Sequence, residues 1–278
     1  MTKQLNFVQL FSDMFAYLRA YSFGLLPYLV IMVVAISFID QLVLAAFGDT
    51  LGDLVSVLTT IAVSAPFGVL MYRRGLQLDR QGQWISDSWK LGLAQTLVYM
   101  LFAILLVLIV MFLAVFGGIL AGAAGFDPSA VEDSFSAGNI REVLGGTEVF
   151  VLSALIAVSV FALLWVSARL LVFGVATIDE GRLMIFRTWS WTKGAVIKIG
   201  VFFAIMMVPA LLILGGTVYA VTNSLAAGNN EYGLERWLIE SASMAPAQII
   251  VFLLGHAVAV AVYSQIVPEK ADYEAAFS

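Results

Sequence analysis

Apolar residues run through this chain in long blocks, separated by shorter polar stretches rich in tryptophan, arginine and acidic side chains. Six blocks are long enough to cross a hydrocarbon core of roughly 30 Å as helices: residues 21–47, 54–72, 91–121, 149–177, 195–221 and 244–267. Before the first block, Val8, Phe11, Phe15 and Leu18 recur at spacings of three and four. That spacing predicts a surface helix over residues 3–20 with one apolar face. Asp49, Gly52 and Asp53 mark the first return turn. The longest polar connection, 124–147, is expected on the outer side. Pro66 and Pro209 fall inside spans, where a lost helical hydrogen bond permits a kink. The pattern predicts an all-α polytopic membrane protein, with six transmembrane helices as three helical hairpins and amphipathic interfacial helices.

One stretch sets the orientation of its neighbours: Ile178-Asp179-Glu180-Gly181-Arg182, followed by Arg187-Thr188-Trp189-Ser190-Trp191-Thr192-Lys193-Gly194. It is expected to leave the fourth span through an acidic-glycine turn, run as a tryptophan-rich basic helix, and open the fifth span. Residues 84–90 form a second interfacial stretch. Trp84, Trp89, Trp189 and Trp191 read as anchors, because indole rings favour the bilayer–water boundary. A partner-docking surface is the other use for them.

Composition agrees with the pattern. The chain is 62% hydrophobic and 12% charged, with a mean hydropathy of +0.98, whereas soluble domains carry about 25% charged residues. The whole of 1–278 is expected to form a single integral membrane domain. The absence of cysteine excludes disulfides and thiolate chemistry, and one histidine excludes a multi-histidine metal site. No cofactor is expected. No polybasic run appears, so no nucleic-acid partner is expected either. Polar residues through the first twenty positions argue against a signal peptide.

The net charge of −5 matters less than its distribution. Lys3, Arg19, Arg73, Arg74, Arg80, Lys90, Arg182, Arg187, Lys193, Lys198 and Lys270 fall on one side of a six-span topology, which is eleven of the 14 basic residues. The positive-inside rule then puts both termini in the cytoplasm of a bacterial inner membrane. Three units, 3–72, 84–177 and 182–267, are expected to repeat one plan of surface helix, rising span and returning span. Such units would be parallel repeats about an axis near the membrane normal.

The pattern Arg169…Asp179-Glu180-Gly181, then Arg187-Thr188-Trp189-Ser190-Trp191-Thr192-Lys193-Gly194, resembles a bacterial multispan family. That family includes the membrane domain attached to some glycerophosphodiester phosphodiesterases and related uncharacterised inner-membrane proteins. The architectural resemblance covers nearly the whole chain, and the specific motif covers 169–194. Trp191 stands where the family usually has leucine. The phosphodiesterase chemistry of such fusions belongs to a separate soluble barrel with its own histidines and acidic metal ligands. With one histidine in this chain, that activity is not expected here.

Candidate chemistry is sparse. A charge within a span must face protein or water rather than lipid, so Arg169 is expected to pair with an acidic residue such as Asp179, Glu180 or Asp79, or to contact an anionic headgroup. Arg187 and Lys193 extend the same candidate lipid or ion-pair group. His256 lies among small residues of the sixth span and reads as an interhelical hydrogen bond, with a proton relay as the alternative. Asp40 and Gln41 border either a frayed helix end or an outer vestibule. No nucleophile–base set, phosphate loop or HExxH is present, so no enzyme is expected. The leading expectation is a membrane component that binds anionic lipids or membrane partners. The alternative is a small-solute or lipid transporter with a polar path near Arg169 and His256.

Overall fold

An apolar backbone inside a bilayer has no water to satisfy its N–H and C=O groups, and a helix satisfies them internally. The computed structural model follows that requirement. It describes residues 5–78, 82–123, 146–227 and 234–267, and contains no strand among them. In chain order the helices are α1 (Phe7–Gly75), α2 (Trp84–Ala123), α3 (Gly146–Leu170), α4 (Phe173–Glu180), α5 (Thr188–Trp191), α6 (Val196–Ala227) and α7 (Leu234–Ile266). Five helical stretches are long and apolar enough to cross a membrane: Gly52–Gly75, Trp84–Leu120, Val149–Glu180, Val196–Ser224 and Ser241–Ile266. A sixth is present if the bent pair Phe7–Arg19 and Gly24–Asp40 counts as one. Most of the connection at 124–147, the polar residues 79–81 and the tail at 268–278 lie outside the described residues.

Helix α1 is helical over 69 residues but far from straight. Asn6 caps it, its Oδ1 accepting from the amides of Val8 at 3.0 Å and Gln9 at 3.4 Å. The segment Phe7–Arg19 then meets Gly24–Asp40 at 80°. Further along, the chain folds back. The Tyr17 hydroxyl donates to the Met71 carbonyl at 3.0 Å across 54 residues, a span that a straight helix would stretch to about 80 Å. Ser56 hydrogen-bonds Asp40. The return turn expected around Asp49, Gly52 and Asp53 is therefore a reversal between Asp40 and Ser56, made within continuous helical backbone.

The chain divides into two units, 1–97 with 168–278, and 98–167. In the first, α7 packs on both α1 and α6, and α4 packs on α1 and α7. Its core includes Leu10, Met14, Leu29, Val69, Ile178, Phe202 and Tyr263, all fully buried. The second unit comprises the C-terminal part of α2 and most of α3. Its Ile104, Val107, Met111, Val158 and Phe161 are exposed, which suits side chains in lipid. Ser159 and Ser167 donate back to the carbonyls four residues earlier at 2.9 and 2.8 Å, so their hydroxyls are satisfied without water.

Three stretches take a form that the spacing alone did not specify. In Phe7–Arg19 the buried face is Leu10, Met14 and Tyr17, while Val8 and Phe15 are 79% and 56% exposed. The spacing rule found an apolar stripe, but a second stripe with the same period packs on the protein. Residues 84–90 and the span after them are one helix, because α2 runs unbroken from Trp84. The tryptophan-rich helix expected after the acidic-glycine turn is a single short turn of helix. Gly181 (φ 66°) ends α4 in the left-handed region that suits glycine. Turns follow, and only Thr188–Trp191 is helical before Gly194 (φ 84°) redirects the chain.

Candidate functional site

The end of α1 and the start of α2 are joined by a short connection, so their basic and aromatic side chains meet at one end of the first unit. Arg73 donates to Asp87 Oδ2 through Nη2 at 2.7 Å and Nε at 3.2 Å. Asp87 is fully buried and the Arg73 side chain is 13% exposed. Around this pair, Arg74 is exposed, the Lys90 side chain is 34% exposed, and Trp84 and Trp89 are 42% and 76% exposed. A Cβ added to Gly24 would meet Arg74 Nη1 at 3.1 Å, so the guanidinium lies against the first leg of α1.

The second corner lies where the Val149–Glu180 span ends and α6 begins. Arg169 Nη1 donates to the Trp189 carbonyl at 2.7 Å and to Thr192 Oγ1 at 3.4 Å, and the guanidinium sits 5.4 Å from the Trp189 ring centroid. Asp179 accepts from the Tyr263 hydroxyl at 2.6 Å, and Trp191 packs on Tyr263 with centroids 6.1 Å apart. Glu180 pairs with Arg182 at 3.3 Å near the surface. Arg187 is half-buried, whereas Lys193 is exposed. Trp189 and Trp191 are thus held by protein groups, and the more exposed indoles are Trp84 and Trp89.

The two corners approach each other within the unit. A Cβ on Gly174 would meet the Tyr72 hydroxyl at 2.9 Å, so glycine is what lets α4 reach α1 there. The N-terminal segment closes over the same end. Gln265 Oε1 accepts from the Asn6 amide at 3.2 Å and its Nε2 donates to Asp13 at 3.4 Å. Phe11 meets Phe202 edge-on at 5.0 Å.

The remaining candidates lie elsewhere. Asp40, half-buried, accepts a hydrogen bond from Ser56 at the opposite end of the α1 legs. The side chain of Gln41 lies outside the described residues. His256 is 8% exposed, with Tyr72 and Phe252 rings at 4.8 and 4.1 Å. Among the described residues no three His, Cys, Asp or Glu side chains gather as a metal site requires.

Sequence reasoning missed the role of Asp87. Its signal was present, because Asp87, Leu91, Ala94 and Val98 follow the i, i+4, i+7, i+11 rule of a buried stripe, and all four are buried. Tyr72 and Tyr263 carried no comparable signal, since tyrosine at a span end reads equally well as a lipid-boundary residue. No protein-family model, curated protein or solved structure matches the chain.

Proposed function

We propose that this protein is a non-enzymatic, multi-pass component of a bacterial inner membrane that binds anionic lipid headgroups with the basic, aromatic end of its first unit. The observation that carries this reading is exposed Arg74 and half-buried Lys90 gathered with Trp84 and Trp89 at the α1–α2 corner, with exposed Lys193 at the second corner, beside helix ends that can border a bilayer. Each basic residue near an anionic surface contributes about 1 kcal/mol of attraction, and indole rings hold the boundary depth. By the positive-inside rule this end faces the cytoplasm, with both termini.

The arrangement in this reading is six spans in three hairpins, with Phe7–Arg19 on the membrane surface. The 80° bend after Arg19 supports the surface position. The ties between Tyr17 and Met71 and between Asp40 and Ser56 support the first hairpin. The packing of α6 on α7 supports the third. Membership in the family with the phosphodiesterase-linked membrane domain rests on the 169–194 motif. The Arg169 guanidinium over the Trp189 ring, 5.4 Å from its centroid, gives that motif a physical reason to include both residues.

Arg169 is not the centre of the lipid site in this reading, because its guanidinium already holds the Trp189–Thr192 segment. The test is whether purified protein retains anionic phospholipid through mild detergent, and whether Arg74→Gln with Lys90→Gln removes it. Retention that ignores headgroup charge would reject the proposal. The transporter alternative needs a polar path into the spans, for which His256 supplies the starting observation.

A further inference from the structure

Two buried acceptors at the junction of α1, α2 and α7 have no protein donor. The first is on His256, which is 8% exposed and whose Nδ1 lies 2.8 Å from the Phe252 carbonyl. A carbonyl oxygen only accepts, so Nδ1 carries the proton and the neutral ring is left with Nε2 as an acceptor. Nε2 has no hydrogen-bond partner in the protein. The second is on Asp87, whose side chain is 0% exposed. Arg73 bonds Oδ2, but Oδ1 has no hydrogen-bond partner, and Lys90 Nζ stands off at 3.9 Å.

Both atoms lie along one seam, where α2 and α7 pack on the Gly68–Arg73 stretch of α1. Leu91 lies one turn beyond Asp87 on the same face of α2. Its Cδ2 lies 3.0 Å, and His256 Nε2 3.1 Å, from the point where a Cβ on Gly68 would sit. A helical turn of about 5 Å therefore separates the level of Asp87 from that of His256. Acceptors cannot satisfy each other. Buried acceptors are satisfied by protein or by ordered water, and water offers two donors to a site lined by two acceptors.

We propose that a short file of water occupies this seam, entering beside Lys90 and Asp87 and ending on His256 Nε2. One water bridges the 3.9 Å gap between Lys90 and Asp87 Oδ1. Another donates to His256. The Tyr72 and Phe252 rings flank the imidazole at 4.8 and 4.1 Å and shield this end of the file. This hydration site shares Lys90 with the proposed lipid-binding surface but does not require bound lipid, and it is the polar entry that a transport role would use.

His256 is the one histidine of the chain, so ¹⁵N-histidine labelling reports a single residue in the intact protein. The experiment is solid-state NMR of the full chain in phospholipid bilayers near neutral pH. The expected spectrum is a neutral ring protonated at Nδ1, with an unprotonated Nε2 shifted as a hydrogen-bond acceptor and receiving magnetisation from water protons. A proton on Nε2, or an Nε2 with the shift of a bare imine nitrogen and no transfer from water, overturns the proposal.

Discussion

The Arg169 guanidinium bonds the main-chain carbonyl of Trp189, twenty residues later, at 2.7 Å, and lies over the ring of the same residue at 5.4 Å. One side chain at the end of a span therefore fixes both the backbone and the indole of the segment that opens the next. A charge within a span has to find polar partners in the protein, and here Nη1 finds a carbonyl and a hydroxyl.

Arg169→Ala should release that segment. Loss of a charged hydrogen bond costs about 1.5–3 kcal/mol, so amide exchange at residues 188–194 should accelerate while lipid retention at the α1–α2 corner persists. Hydrogen exchange by mass spectrometry reads the first effect. Unchanged protection would show that other contacts hold the segment.

Asp87 should matter for stability more than any surface acid. Asp87→Ala leaves the nearly buried Arg73 without this carboxylate, and breaking a buried pair costs about 3–5 kcal/mol. Replacing both, as Arg73→Met with Asp87→Leu, should recover much of the loss. Thermal unfolding in detergent distinguishes the cases. Equal destabilisation by the single and double changes would refute the pairing.

How much of this was legible in the sequence depends on the kind of signal. Apolar blocks fixed the helical, membrane-spanning class, because span length is set by bilayer thickness and not by detail. The 178–194 stretch was found by its tryptophans and cations. Its form was not found, since Gly181 and Gly194 act through backbone angles that leave no periodicity. The face of Phe7–Arg19 was ambiguous because Val8 and Phe15 are as apolar as Leu10 and Met14. Only the tertiary fold, which buries Leu10 and Met14 and leaves Val8 and Phe15 exposed, separates them. The bond between Tyr263 and Asp179 joins residues 84 apart, and no local pattern encodes such a meeting.

Gly75 is a point of close approach. A Cβ there would lie 2.6 Å from the Tyr17 ring and 3.2 Å from Val260. Gly75→Ala should destabilise by about 1–3 kcal/mol through overpacking, and Tyr17→Leu in the same chain should relieve part of it. Additive losses in a double-mutant cycle would contradict the contact.

The absence of cysteine makes orientation directly measurable. Single-cysteine variants Asp53→Cys and Ser190→Cys both carry the new thiol at exposed positions. In intact cells whose outer membrane has been made permeable, a membrane-impermeant maleimide should label the Asp53 variant. The Ser190 variant should react only after the inner membrane is opened. The reverse pattern would invert the topology.

The measurement that bears most directly on the central claim is native mass spectrometry of the protein released from bilayers mixing anionic and zwitterionic phospholipids. Wild type should retain the anionic species preferentially. Neutralising Arg74 and Lys90 should weaken that retention by roughly 10- to 30-fold, from about 1 kcal/mol for each basic residue, and added salt should weaken it further. Equal retention of both headgroup classes, or retention unaffected by the two substitutions, would contradict an anionic-lipid site at this corner.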